Sequence, residues 1–364
     1  MKICIATDLH LSYRQYGLEE REQDFYKQYE KLVTEIIKEK PKIFQLLGDI
    51  FDTPYPKPIS IKTFEDGIDK LAENGITTYG IAGNHTLVQR KNFYPIDNIF
   101  QKYHLLNGKG ITIDDTYICG INYHPKTHDI RKTIDDMHKE SKGCRTSIIM
   151  LHQTLKQDQN IGYEFDEKEL GLGRFDYVLV GHFHNRITRK SGDTTVHYPG
   201  SLNSCSTVEL LDEMKNGKGY SVLDTKTGML QTKDIKPKRQ YIEYNLINDK
   251  LNRYNINETV ESLSVLESKP IIKLNVHDSA NPHLYELKEK LSDIALIVMQ
   301  NNIEHHEVPD QNKVHINSLD IKAQIMEEFE DEWVGKLAVD LYNSLSVGDI
   351  ESGEYIAEET YKRL

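Results

Sequence analysis

Ile43-Phe44-Gln45-Leu46-Leu47-Gly48-Asp49-Ile50-Phe51-Asp52 is the stretch whose reading decides the fold. A run of five residues, all apolar but Gln45, reads as a strand buried on both faces, and such strands belong to sheets covered on both sides. The run stops at Gly48 and at once delivers two carboxylates, Asp49 and Asp52. The same order recurs along the chain. Ile3 to Ala6 leads to Asp8-Leu9-His10, Ile148 to Leu151 leads to His152, and Tyr177 to Val180 leads to Gly181-His182-Phe183-His184. Gly83-Asn84-His85 follows a further strand expected over Ile76 to Ala82.

Taken singly these motifs are ordinary. Asp-x-His after a strand is commonly a turn or a helix cap, and Gly-Asp and Gly-Asn are turn dipeptides. Five of them in order, each at a strand end, point to phosphoester chemistry. Cleaving a phosphodiester at neutral pH needs an activated water, neutralised phosphoryl oxygens and a stabilised leaving oxygen. Two divalent ions about 3.5–4 Å apart supply all three. Their cage needs hard oxygen donors and neutral imidazoles, and no cysteine stands in the motifs. A mixed oxygen and nitrogen set suits manganese, iron or zinc better than calcium, which prefers oxygen alone.

These motifs resemble the calcineurin-like metallophosphoesterases. Within that family Gly48-Asp49-Ile50-Phe51-Asp52-Thr53, followed by Pro54, Pro56 and Pro58, is similar to the SbcD-type double-strand-break repair nucleases. So are Leu151-His152-Gln153 and Tyr198-Pro199-Gly200-Ser201. The resemblance covers roughly residues 1–235. It implies that Asp8, His10 and His184 hold one ion, that Asn84, His152 and His182 hold the other, and that Asp49 bridges them. It also implies that His85 faces the scissile phosphate and protonates or stabilises the departing oxygen, with Asp52 orienting it. Thr86 departs from the pattern, standing where the family usually has an acid.

The implied function is a manganese-dependent DNA nuclease with 3′-to-5′ exonuclease activity on duplex ends and endonuclease activity on single strands. Its implied partners are DNA and an SMC-like ATPase of the SbcC type, with a homodimer inside a heterotetramer. The same cage serves phosphodiesterases and phosphatases acting on small molecules or phosphoproteins, which is the second enzyme reading. A third, a scaffold keeping the metal site for structure alone, is opposed by the intact His85.

A chain of 364 residues exceeds what one core usually covers. Alternating strands and helices from Lys2 to Ala82 predict an α/β body, and the resemblance makes it a four-layer αββα sandwich over residues 1–238. Shorter strands from Gly219 to Asn245 are expected to finish the second sheet antiparallel, and Lys236 to Gln240 reads as a basic hinge containing Pro237. A small α+β capping domain is expected over 239–316, with strands at Lys269 to His277 and Asp293 to Gln300 and a helix at Asn281 to Leu291. A helical, ATPase-binding tail is expected over 317–364. There Ile325, Met326, Phe329, Trp333, Leu337, Leu341 and Leu345 recur at helical steps.

Charge sharpens the partner question. From Leu319 to Leu364 twelve acidic residues face four basic ones, a net of −8, which leaves −4 of the formal −12 for the first 318 residues. An acidic tail repels DNA and suits protein contact, and a near-neutral body lacks the basic signature of a protein that grips duplex DNA alone. Arg14, Lys57, Arg90, Lys91, Arg186, Arg189 and Lys190 are candidate phosphate contacts, and His197 is a candidate for the cleft wall. Cys4, Cys119, Cys144 and Cys205 are scattered, which suits reduced thiols. No stretch approaches a signal peptide or a membrane span, so a cytoplasmic protein is expected.

Overall fold

The computed structural model describes residues 1–87, 95–125, 130–158, 163–206, 215–246, 268–276 and 288–301, with Glu209, Glu213, Glu261, Leu337 and Val339. The expected stripe over Leu319 to Leu345 lies outside these apart from Leu337 and Val339, as does most of the helix expected at 281–291. Met1–Ile303 form one compact unit and Glu304–Leu364 a second.

β1 (Lys2–Ala6), α1 (Glu19–Glu39), β2 (Ile43–Leu47), α2 (Pro58–Glu73) and β3 (Thr77–Ile81) open the chain, with the three strands as parallel neighbours. Next come β4 (Tyr103–Leu105), β5 (Lys109–Ile113), β6 (Thr116–Gly120), α3 (Arg131–Glu140), β7 (Thr146–His152), α4 (Glu167–Leu170) and β8 (Tyr177–Gly181). β9 (Ile187–Ser191), β10 (Thr194–Tyr198), β11 (Gly219–Asp224) and β12 (Met229–Asp234) complete two six-stranded sheets. Their orders are β12-β11-β1-β2-β3-β4 and β5-β6-β7-β8-β10-β9.

The period of two along each strand builds four layers. In β1 and β2, Ile3, Ile5, Ile43 and Leu47 point to one side, where they meet Ile118, Ile148, Met150 and Leu179 of the other sheet. Cys4, Ala6, Phe44 and Leu46 point to the opposite side and pack on Tyr29, Leu32, Val33 and Ile36 of α1 and Phe64 and Ile68 of α2. In the second sheet Cys119, Ile149, Leu151, Val178 and Val180 turn outward onto Ile134 and Met137 of α3. The body built from β1 to β12 is therefore an αββα sandwich.

The strands over 219–245 correct the expectation. β11 lies antiparallel against β1 and β12 against β11, so they complete the first sheet and not the second. β1 is almost wholly buried and would otherwise be an edge with unpaired main-chain groups, which β11 covers. β13 (Tyr241–Leu246) then leaves the sandwich and pairs in parallel with β14 (Ile271–Val276), which pairs with β15 (Leu296–Asn301). At the expected hinge, Arg239 Nε meets the buried Asp24 Oδ2 of α1 at 2.5 Å, and Arg21 Nη1 meets the same oxygen at 3.0 Å. Among the described residues no helix is long and apolar enough to cross a membrane.

Candidate metal centre and active site

β1, β2 and β3 run parallel in one sheet, as do β7 and β8 in the other, and every motif sits at or just past the carboxyl end of one of them. Ligands of α/β sheets gather at that edge. The backbone there is unusual. Asp8, His10, Asp49 and His182 all take positive φ, from 46° to 81°, which non-glycine residues avoid unless the surroundings impose it. A Cβ on Gly48, itself at φ 97°, would run into the His152 ring, so only glycine lets these two strand ends meet.

Four imidazoles converge, and each turns its outer nitrogen to an acceptor. His152 Nδ1 donates to the Leu47 carbonyl at 2.6 Å, and His10 Nδ1 donates to Asp52 Oδ1 at 3.1 Å. His184 Nδ1 faces Glu209 Oε1 at 3.1 Å, and His182 Nε2 faces Glu164 Oε1 at 3.4 Å. Carbonyls and carboxylates only accept, so each contact places a proton on the outer nitrogen and fixes the tautomer that offers its other nitrogen inward. Inward, His10 Nε2 and His184 Nε2 stand 3.1 Å apart. His152 Nε2 lies 3.0 Å from Asp49 Oδ2 and 3.1 Å from Asn84 Oδ1, which is also 2.9 Å from His182 Nδ1.

Asp8 shows what this arrangement fits. Its Oδ2 accepts from Thr7 Oγ1 at 2.6 Å and from the His182 backbone N–H at 3.2 Å, whereas the fully buried Oδ1 has no hydrogen-bond partner. That oxygen faces His184 Nε2 at 3.5 Å and His10 Nε2 at 3.8 Å. An orphaned buried carboxylate oxygen amid inward-facing ring nitrogens is a donor set for a cation. Clusters of this kind that can hold a metal ion include Asp8, His10 and Asp49, and Asp49, His152 and His182. Burial is the largest influence on both carboxylates and opposes their charge, yet the imidazoles prevail. Asp8 is held well below the usual carboxylate range, and Asp49 is brought down to about 2. Burial likewise disfavours a charged His152, but Asp49 and Asp8 push it up to about 9.

His85 stands at the mouth with its side chain 37 % exposed, edge-on to the His10 ring with centroids 4.8 Å apart. Its Nδ1 donates to the Asp52 main-chain carbonyl at 2.8 Å, while the Asp52 carboxylate is 3.6 Å away and bonds His10 instead. The backbone of Asp52 thus orients His85, and its side chain orients His10. Thr86 Oγ1 and both carboxyl oxygens of Asp97, in the 3-10 turn Ile96–Ile99, are buried without a hydrogen bond of good geometry, and the Thr86 hydroxyl is the side-chain group that favours the Asp97 charge. Burial and the Asp49 charge push Asp97 up to about 6. His197 is a core histidine between Thr188 Oγ1 and Ser221 Oγ, 2.8 Å from each. Of the candidate phosphate cations, Lys57 pairs with Glu22, Arg186 with Asp234, and Arg189 with Asp158 and Glu167. Arg90 and Lys91 lie outside the described residues.

Sequence reasoning missed Glu164, Glu209 and Cys205, whose sulfur lies within 4.8 Å of ring nitrogens of His10 and His184. One signal was available for Glu209. Ser206-x-x-Glu209 is capping-box spacing, and the Glu209 N–H does donate to Ser206 Oγ at 3.3 Å.

The fold and the site define a class, and the sequence profile of the calcineurin-like phosphoesterases matches residues 1–186. The chain belongs to that family. It is 28% identical over 356 residues to the DNA double-strand break repair protein Mre11 of Methanocaldococcus jannaschii, covering 95% of this chain and 94% of that protein. It is 29% identical to the Mre11 of Methanococcus maripaludis, over 84% of this chain and 88% of that one. It is 26% identical to the Mre11 of Thermoplasma acidophilum, over 95% and 94%.

Proposed function

We propose that this chain is a metal-dependent DNA nuclease of double-strand-break repair, acting on phosphodiesters through two divalent ions. The convergence of inward-facing nitrogens and oxygens on the orphaned Asp8 Oδ1 carries the reading. Asp8, His10 and His184 would hold one ion and Asn84, His152 and His182 the other, with Asp49 shared. The mixed oxygen and nitrogen donor set suits manganese, iron or zinc better than calcium, and among these the resemblance to the SbcD-type nucleases points to manganese. Bound there, the ions would neutralise phosphate charge and lower the pKa of a water.

The chain's own residues do the rest. His85 Nδ1 is committed to the Asp52 carbonyl, so Nε2 is the nitrogen available at the exposed mouth. A proton carried on Nε2 goes to the departing oxygen, which needs it as the P–O bond breaks. The Asp49 Oδ1 that accepts the His85 backbone N–H at 3.0 Å ties this acid to the shared carboxylate.

DNA is supported as the substrate by similarity to three repair proteins along nearly their whole length. The acidic, periodically apolar tail supports an SMC-like ATPase as partner, and the near-neutral charge of the first 318 residues, with Lys57, Arg186 and Arg189 engaged in ion pairs, supports leaving the grip on DNA to that partner or to a second copy of this chain. Cleavage of duplex ends from the 3′ side and of single strands follows the same reading. The decisive assay incubates the purified full chain, alone and with the ATPase and ATP, with end-labelled duplex and single-stranded DNA in manganese. Bis-p-nitrophenyl phosphate and cyclic nucleotides run in parallel. DNA cleavage is the expected result; hydrolysis of the small diesters alone, even with the ATPase present, overturns it.

A further inference from the structure

We infer that the buried Lys218 and the half-buried Glu209, both outside the motifs, form a pair that positions His184. This rests on the metal-centre reading above and adds to it the groups that set one ligand. Glu209 Oε1 is 3.1 Å from His184 Nδ1, while His184 Nε2 faces His10 Nε2 at 3.1 Å. Because a carboxylate only accepts, this contact holds the proton on Nδ1 and leaves the Nε2 lone pair for an ion.

The carboxylate is pinned in its turn. Oε1 accepts from Ser206 Oγ at 3.1 Å, and Oε2 accepts from the Cys205 backbone N–H at 3.1 Å. Lys218 Nζ lies 3.4 Å from Oε2 and donates at 2.8 Å both to the His184 main-chain carbonyl and to Ser201 Oγ. All three donors of the ammonium are used, as a lysine only 3% exposed requires. One cation therefore holds His184 twice, by its backbone directly and by its ring through Glu209. The sequence admits it by flanking Lys218 with Gly217 and Gly219, at φ 68° and 155°; a Cβ at Gly219 would collide with the Lys233 carbonyl.

The alternative is that the pair merely fastens the chain near β11 and leaves the ring indifferent. Three variants separate the two: Glu209→Gln, which keeps the shape and one acceptor oxygen without the charge, Glu209→Ala, and Lys218→Met. Manganese binding is measured by calorimetry beside a thermal melt. The His184 tautomer is read from long-range 15N–1H spectra of histidine-labelled, zinc-loaded protein. In Glu209→Ala one ion is expected to bind about 10–100-fold more weakly, with the other unaltered and the Nδ1–H signature of His184 lost. Lys218→Met should act in the same direction, and Glu209→Gln should fall between Ala and the unsubstituted protein. If Glu209→Ala does not fold, the Gln variant decides by its ring signature and its affinity. Folded variants that bind both ions as the unsubstituted protein does, with the ring signature intact, overturn the positioning role alone. An unsubstituted protein that binds no ion overturns the metal-centre reading itself, a different result in the same experiment.

Discussion

His152 and His184 stand in the two proposed halves of the centre, and their outer nitrogens meet different kinds of partner. His152 is backed by a main-chain carbonyl, that of Leu47, and its side chain is wholly buried. His184 is backed by the Glu209 carboxylate and is 21% exposed, and His10 on the same half is backed by another carboxylate, Asp52. One half thus contains a ligand set by the register of buried strands, which no side-chain substitution removes, beside His182, which Glu164 backs and which is 25% exposed. The other is held by charged side chains near solvent, beside the exposed His85. His152 gives its half a rigid footing, whereas both imidazoles of the other half are backed by carboxylate side chains that can move.

The substitution that would erase the comparison is Asp49→Ala. Asp49 Oδ2 meets His152 on the rigid half, and Asp49 Oδ1 accepts the His85 backbone N–H toward the mouth. Its removal should abolish detectable manganese binding by calorimetry together with diester hydrolysis. Two ions bound with unchanged affinity would refute the shared role.

His85→Ala tests whether the mouth belongs to the cage. The rate on bis-p-nitrophenyl phosphate should fall by roughly 10²–10⁴-fold, the scale of general acid catalysis, while two ions remain bound. An emptied metal site would show His85 to be a ligand.

Asp52→Asn probes the adjustable half with less force. Because the Asp52 carbonyl and not its carboxylate holds His85, the acid should stay in place. The loss should fall on His10, weakening one ion by about 10–100-fold, so that raised manganese restores most of the rate. A rate loss that manganese cannot restore would return the carboxylate to His85.

The inner groups were legible in the sequence because each follows an apolar run of fixed hand and period: once Ile3 to Ala6, Ile43 to Leu47 and Tyr177 to Val180 are strands, Asp8, Asp49 and His182 must gather at one edge. The outer partners were not legible in this way. Glu164 comes from a loop between elements, Glu209 from a helical position just past Ser206, Lys218 from the entry to a strand that crosses back to β1, and the Leu47 carbonyl carries no side-chain signature at all. Division of Asp52 between its backbone and its side chain is likewise a matter of geometry, since the residue's spacing from Asp49 is compatible with either. The misassigned strands over 219–245 have the same origin. The Thr227-Gly228 break marks two antiparallel strands, but which sheet they join is decided by the flank of β1 that β2 leaves unpaired, a long-range fact.

The smallest effect expected concerns the footing of the rigid half. Asp97 is fully buried, and burial, offset in part by the Thr86 hydroxyl and a backbone N–H and helped by the Asp49 charge, raises it from 3.8 to about 6. Between those values the folded chain keeps a proton that the unfolded chain has released, so this group takes stability away as pH rises from about 4 to 6 and takes its full share above. Asp97→Asn cannot ionise. It should therefore raise Tm by several degrees at pH 7.5, where the cost of the buried charge is on the order of 3 kcal/mol at most, and by progressively less toward pH 4. Manganese affinity should not move, because the Leu47 carbonyl and the strand ends fix His152 without Asp97. Melts of both proteins across that range, with a binding isotherm at pH 7.5, test both parts. A Tm difference independent of pH would remove the buried acid as its cause, and a shift in affinity would show that the half called rigid gives way when its surroundings change.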